Sequence, residues 1–272
     1  FAFALMEFLE LEFRFGDKDK NMVTPSSNKG AVRTLTFNRP EALNAFNDDM
    51  FDAVAADIVA ATEDDSVKVL VITGAGRAFS AGMDLAAQRG GSEPKYGFPG
   101  MFEAIIEFPK PIILAVNGLG VGFGCTICGL ADLVFMADDA RLRCPFTSLG
   151  LTAEAGSTVT FPQLMGYQNA FWGLLSSQWM DAQTCKDLGL VFALAEAEQL
   201  MAKVDEHARI LAAQPLAALV TTKELMMAPR REILREVYKV ENKALASLMG
   251  GPANLEAVAA FKERRPADFS KF

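Results

Sequence analysis

Two apolar runs, Val67–Thr73 and Ile112–Val116, each end in a glycine turn, and this pairing constrains the fold more than any other feature of the chain. Neither run alternates polar with apolar residues, so each strand has to be covered on both faces, as in a parallel sheet flanked by helices. The first turn opens at Gly74-Ala75-Gly76 and continues through Phe79-Ser80-Ala81-Gly82-Met83-Asp84-Leu85; the second runs from Asn117-Gly118 to Gly124. Glycine lets two backbones approach closely, and a strand that turns directly into a helix leaves amide N–H groups without acceptors. The class this predicts is α/β.

The rest of the chain follows the same alternation. Leu130–Met136, after a small-residue helix from about Val121, reads as a third strand, and Phe192–Ala195 as a fourth. Upstream, strictly alternating Leu9–Phe15 and β-rich Val32–Phe37 predict an antiparallel pair across a polar connection, Gly16–Gly30. Asn38-Arg39-Pro40 stops the second of these, and Phe46, Met50, Val54, Ile58 and Ala61 then recur at helical spacing until about Asp64-Asp65. From about Glu196 the pattern is helical: Ala197–Ala213, Pro215–Met227, Arg231–Met249 and Leu255–Glu263, separated by Pro215, Pro229 and Gly250-Gly251-Pro252. This gives a core over residues 1–195 and a C-terminal helical region over 196–272. With no low-complexity linker between them, independent motion is not expected.

Composition removes several functions. At 51% hydrophobic and 22% charged residues the chain has material for a large core. Its net charge of -8 repels polyphosphate backbones, so nucleic acid is not an expected partner, although a small anion needs only a few cations such as Arg39, Arg77, Lys262, Arg264 and Arg265. No segment approaches the roughly 18 apolar residues of a membrane span, and Phe1–Leu5 is too short and too close to Glu7 for a secretion signal. A cytoplasmic protein is the expectation. The four cysteines, Cys125, Cys128, Cys144 and Cys185, are too sparse for a disulfide framework, and Cys125-Thr126-Ile127-Cys128 lacks a second ligand pair for zinc. The single histidine, His207, lies in a helical stretch away from every glycine turn, which disfavours a Ser-His-Asp or Cys-His mechanism. Gly74-Ala75-Gly76 has its next glycine at Gly82, too far for a dinucleotide fingerprint.

Three stretches together carry a family resemblance: Asn38-Arg39-Pro40-Glu41-Ala42-Leu43-Asn44-Ala45, Arg77 to Leu85, and Lys110 to Gly124. In this order they resemble the crotonase (enoyl-CoA hydratase/isomerase) superfamily from about Arg33 to Arg265. The resemblance implies a crotonase (ClpP/crotonase-like) spiral of ββα units, with C-terminal helices that build a homotrimer or a dimer of trimers. It implies an acyl-CoA thioester substrate whose oxygen is held by the backbone N–H groups of Met83 and Phe123, with Ser80, Ala81, Gly82, Asp84, Leu85, Gly122 and Lys262 contributing to substrate binding. Coenzyme A is then part of the substrate, and neither a metal nor a separate cofactor is expected.

The acidic residues depart from the hydratases of that superfamily. Thr126 and Phe146 stand where the two hydratase carboxylates belong, and neither is a general base. Pro145-Phe146-Thr147-Ser148-Leu149-Gly150 with Glu154 is instead similar to the peroxisomal type of Δ3,Δ2-enoyl-CoA isomerase, which makes Glu154 the expected single base. Burial would raise its pKa, whereas the N-terminus of a helix opening at Gly156-Ser157-Thr158 would lower it. As rivals to Glu154 for the base, Asp84 and Asp132 are read as structural: Asp84 sits in the turn expected to face the CoA adenine, and Asp132 enters a buried strand. Hydration, thioester hydrolysis and acyl-CoA binding without catalysis remain the alternatives. Phe98, Met101, Phe102 and Ile105 line an acyl tunnel or fill the core, a choice the sequence leaves open.

Overall fold

The computed structural model describes residues 23–84 and 93–272. The expected strand Leu9–Phe15 and the expected binding residue Leu85 lie outside the described residues. Within them, β1 (Ser26–Lys29) pairs antiparallel with β2 (Val32–Phe37). The polar connection expected over residues 16–30 therefore contains a strand. All four β1 residues are exposed, as an edge strand permits, so no apolar pattern announced it.

After β2, helix α1 spans Asp48–Glu63, started by Asn47, whose side chain accepts from the Met50 amide at 3.0 Å. Met50, Phe51, Val54, Ala55, Ile58 and Ala61 form its buried face. Buried Lys110 reaches the far end and donates to the carbonyls of Ala61 and Asp64, which have no acceptor role inside the helix.

The remaining core is a repeated strand–strand–helix step. β3 (Val69–Gly74) is followed by β4 (Ala78–Ser80) and α2 (Gly97–Glu107); β5 (Ile112–Val116) by β6 (Leu119–Val121) and the short α3 (Phe123–Thr126). β7 (Leu133–Ala137) is followed by β8 (Arg141–Arg143), then α4 (Ser157–Met165) and α5 (Tyr167–Leu175). The first strand of each step joins one sheet, which β10 (Ala193–Ala195) completes in the order β1-β2-β3-β5-β7-β10, parallel from β2 onward. The second joins another, β4-β6-β8-β9, where β9 (Trp179–Asp181) closes antiparallel on β8. This is the expected α/β spiral of ββα units. β3, buried through Thr73, and fully buried β5 supply the continuous apolar runs read from the sequence.

Helix α6 (Ala182–Asp187) leads to β10 (Ala193–Ala195), after which α7 (Leu200–Ala212), α8 (Leu216–Leu248) and α9 (Pro252–Lys262) complete the chain. α7 packs on β2, β3, β5, β7 and β10. One expectation fails here: Pro229 does not separate two helices but lies inside α8. Pro229 is exposed, while Lys223, Met227, Arg231, Leu234 and Glu241 are buried on both sides of it at three- and four-residue multiples. That continuous anchored stripe holds the helix together across a residue that lacks an amide donor. Lys223 is one anchor, donating to the Lys110 carbonyl and to Asp132, which also accepts from the Ile112 amide. No helix among the described residues is long and apolar enough to cross a membrane.

Candidate active site

The two glycine turns lie against each other. A Cβ at Gly124 would fall 2.3 Å from the Ser80 carbonyl oxygen, and one at Gly82, where φ is +84°, would fall 2.5 Å from the Val121 carbonyl oxygen. Only glycine fits either contact. The stretch Asn38–Ala45 is the clamp that fixes the first turn. Asn44, itself at φ 56°, donates through Nδ2 to the carbonyls of Ala75 and Ala78 and accepts through Oδ1 from the Arg39 amide. The Ser80 hydroxyl donates to the Asn44 carbonyl and accepts from the Gly82 amide, and the Ala81 amide donates to the Leu43 carbonyl. Arg39 continues the clamp to Asp84 at 3.0 Å.

Beside this clamp, a parallel bridge between Phe46 and Met83 uses the Phe46 amide on the Gly82 carbonyl and the Asp84 amide on the Phe46 carbonyl. In that geometry the Met83 amide is not part of the ladder. Phe123 is the first residue of α3, so its amide has no acceptor within the helix. Preceding Gly122 adopts φ 56° and donates its own amide to the Arg143 carbonyl. The structure thus brings the Met83 and Phe123 turns together.

Glu154 meets the short helix α3. Its carboxylate accepts a 2.6 Å hydrogen bond from the Thr126 hydroxyl, three residues after Phe123 in the same short helix. Glu154 is 8% exposed. Burial pushes its pKa up to about 8; the Thr126 hydroxyl pulls it down, and the neighbouring carboxylate of Glu241 adds to the rise. The competing expectation, that the α4 N-terminus holds Glu154 as its acid, is resolved by a different residue. The amides of Gly156 and Thr158 donate to Glu241 of α8.

An aromatic cluster borders these groups. Phe123 meets Phe46 and Phe98 edge-to-face at 5.2 Å and 5.3 Å, and Phe98 approaches Tyr238 of α8, which stacks on Phe102 at 4.3 Å. Met101, Phe102, Ile105 and Phe146 are buried, while Phe98 is half-buried. Lys262 is exposed on the last turn of α9, and no hydrogen bond among the described residues links it to the two turns. Of the cations considered for a small anion, Arg39 is paired with Asp84, and Arg265 with Glu256 and Glu263.

Sequence reasoning passed over three residues here. Thr126 registered only as a missing carboxylate, yet it is the hydrogen-bond donor to Glu154. Tyr238 and Glu241 were absent from the reading because α8 is mostly polar. A signal was present: Arg231, Leu234, Tyr238 and Glu241 fall on one face at three- and four-residue spacing, so Glu241 occupies the register of a buried stripe.

Residues 27–271 match the family described as enoyl-CoA hydratase/isomerase. A 1,2-epoxyphenylacetyl-CoA isomerase of Escherichia coli K12 is 32% identical over 250 residues, covering 88% of this chain and 95% of that protein. Enoyl-CoA delta isomerase 2 of Rattus norvegicus is 31% identical over 248 residues, covering 88% of this chain and 63% of the rat protein. Among solved structures, an enoyl-CoA hydratase of Mycobacterium marinum superimposes with a TM-score of 0.73 at 49% identity, covering 76% of this chain and all of that one (100%).

Proposed function

Since the chain belongs to the enoyl-CoA hydratase/isomerase family, we propose that it is an acyl-CoA isomerase that shifts a 3-enoyl-CoA double bond to give the trans-2-enoyl-CoA. The thioester oxygen sits on the amides of Met83 and Phe123, fixed donors placed where negative charge develops. Glu154 takes a proton from C2, the C2–H electron pair delocalises through the dienolate to the oxygen, and Glu154 returns the proton to C4 as the C2=C3 bond forms. Atoms and electrons balance without a metal or redox cofactor. Ser80, Ala81, Gly82, Asp84, Leu85 and Gly122 belong to the substrate cradle in this proposal, with Lys262 contributing from α9.

The observation that carries the reading is Glu154: a buried carboxylate bonded to Thr126 on the very helix that Phe123 opens. An acid with a pKa near 8 is suited to accept and return one proton near neutrality. The test is turnover of a 3-enoyl-CoA by purified wild type and Glu154→Gln. A loss of about 10²- to 10⁴-fold in kcat is expected; equal rates remove Glu154 from the mechanism.

The similarity to a hydratase at 49% identity favours a second reading, in which Glu154 aligns a water for addition. Product mass separates the two, because isomerisation leaves it unchanged and hydration adds one water. A homotrimer or dimer of trimers joined through the C-terminal helices belongs to the same proposal. Its support is the run of exposed apolar side chains on α8 and α9, including Leu225, Ile233, Val240, Leu255 and Phe261. Light scattering of the purified protein tests it.

A further inference from the structure

Glu241 sits 87 positions after Glu154 in sequence yet is bound to the turn that follows it. One carboxylate oxygen accepts from the Gly156 amide at 2.7 Å; the other accepts from the Thr158 amide at 3.1 Å and its hydroxyl at 2.6 Å. Glu241 is 5% exposed, and its bond from the Gly156 amide is buried while those from Thr158 lie nearer the surface. We propose that Glu241 is the positioning residue of Glu154: from the long helix α8 it locks residues 155–158 and places a carboxylate charge beside Glu154. This rests on the reading of Glu154 as the base.

The backbone explains why a lock is required. Ala155 has φ 58° and Gly156 φ 72°, two consecutive left-handed residues directly after Glu154. For alanine that conformation is strained, so it persists only where its surroundings hold it. The Ser157 amide and hydroxyl both donate to the Glu154 carbonyl, which ties the Glu154 backbone to the same turn. Glu241 holds the other side. Replacing it with a shorter or apolar group leaves the buried Gly156 amide without an acceptor, frees the Thr158 amide and leaves the Ala155 strain unopposed.

Electrostatics follow from the same placement. The groups that face Glu154 are Thr126 and neighbouring Cys125 from α3, and Tyr238 and Glu241 from α8. Burial holds the Cys125 thiol well above its usual range and raises the Tyr238 phenol, so both stay neutral near pH 7. Glu241 is itself pushed up by burial, opposed by its bonds from Thr158 and Gly156. Glu241 adds to the rise that burial gives Glu154, so removing the Glu241 charge makes Glu154 easier to ionise.

The experiment compares wild type, Glu241→Gln, Glu154→Gln and the double variant, with 3-enoyl-CoA as substrate. Glutamine keeps a carbonyl for the two Thr158 donors but turns an NH₂ toward the Gly156 amide. A fall in kcat of about tenfold with KM within about twofold is expected, and the acid limb of kcat/KM should move down by about one pH unit. An activity-free readout is the pH-dependent difference in unfolding free energy between wild type and Glu154→Gln, repeated in the Glu241→Gln background. Its midpoint should move down by the same amount. Unmoved midpoints with wild-type kcat overturn the proposal. A wild type that does not isomerise, combined with a moved stability midpoint, overturns the reaction while keeping the positioning role. Should Glu241→Gln not fold, Glu241→Asp carries the test. It keeps the charge and loses the reach, so kcat falls with the midpoint unmoved, and an unchanged kcat again overturns the proposal.

Discussion

Replacing Glu154 with glutamine should make the protein progressively more stable than wild type as pH rises. Glutamine matches the protonated acid in shape and can still accept from Thr126, so the two proteins differ only once the carboxyl ionises. The unfolded chain ionises it near 4.5 and the folded chain near 8. Below the lower value both states hold the proton and nothing is lost. Between the two, the unfolded state releases a proton that the folded state keeps, and stability falls as pH climbs toward 8. The gap of about 3.5 units, at about 1.36 kcal/mol each, is roughly 5 kcal/mol in full. The advantage of Glu154→Gln should thus be under about 1 kcal/mol at pH 5, about 3 at pH 7 and about 5 at pH 9. Urea unfolding at the three pH values, at one protein concentration, measures it. A difference that stays level from pH 5 to pH 9 would show that Glu154 ionises as it does in water, and the physical basis for its role as a tuned base would be gone.

Thr126→Val deletes the hydroxyl that stabilises the Glu154 carboxylate; a bond to a charged group contributes about 1.5–3 kcal/mol, so the limb of kcat/KM should move up by about 1–2 pH units. A pH–rate profile checks this, and a limb that stays in place assigns it to another group. Gly124→Ala forces a Cβ to within 2.3 Å of the Ser80 carbonyl; a loss of at least about 2 kcal/mol is expected in urea unfolding, along with loss of turnover as β4 and α3 separate. Pro229→Ala restores a donor on the exposed side of α8 and removes a ring clash, so a stabilisation of about 1–3 kcal/mol is expected in thermal melts with activity unchanged.

The parts of this fold that were readable in the sequence are those where one local rule decides the outcome. The all-apolar strands around Ile72 and Leu114 have to be buried on both faces, and the spacing from Met50 to Ala61 admits only a helix with one buried side. The glycines at 82 and 124 are fixed by backbone approach alone. Where the rule is not local, the reading ran out. Ser26–Lys29 is a strand because the β2 edge offers it a ladder, and its polar sequence says nothing of that. β8 and β9 have three residues each, too short for any period to emerge. Pro229 is a sound local reason to end a helix, overruled by side chains anchored on both sides of it. The acid that caps α4 shows the same limit most sharply. Sequence proximity nominated Glu154 for that place and left its pKa balanced between burial and the helix end. The structure gives the helix end to Glu241, from a helix far along the chain, and among the described residues burial of Glu154 is then opposed by Thr126. The property that makes Glu154 suited to proton transfer therefore belongs to a tertiary contact, and no motif around residue 154 encodes it.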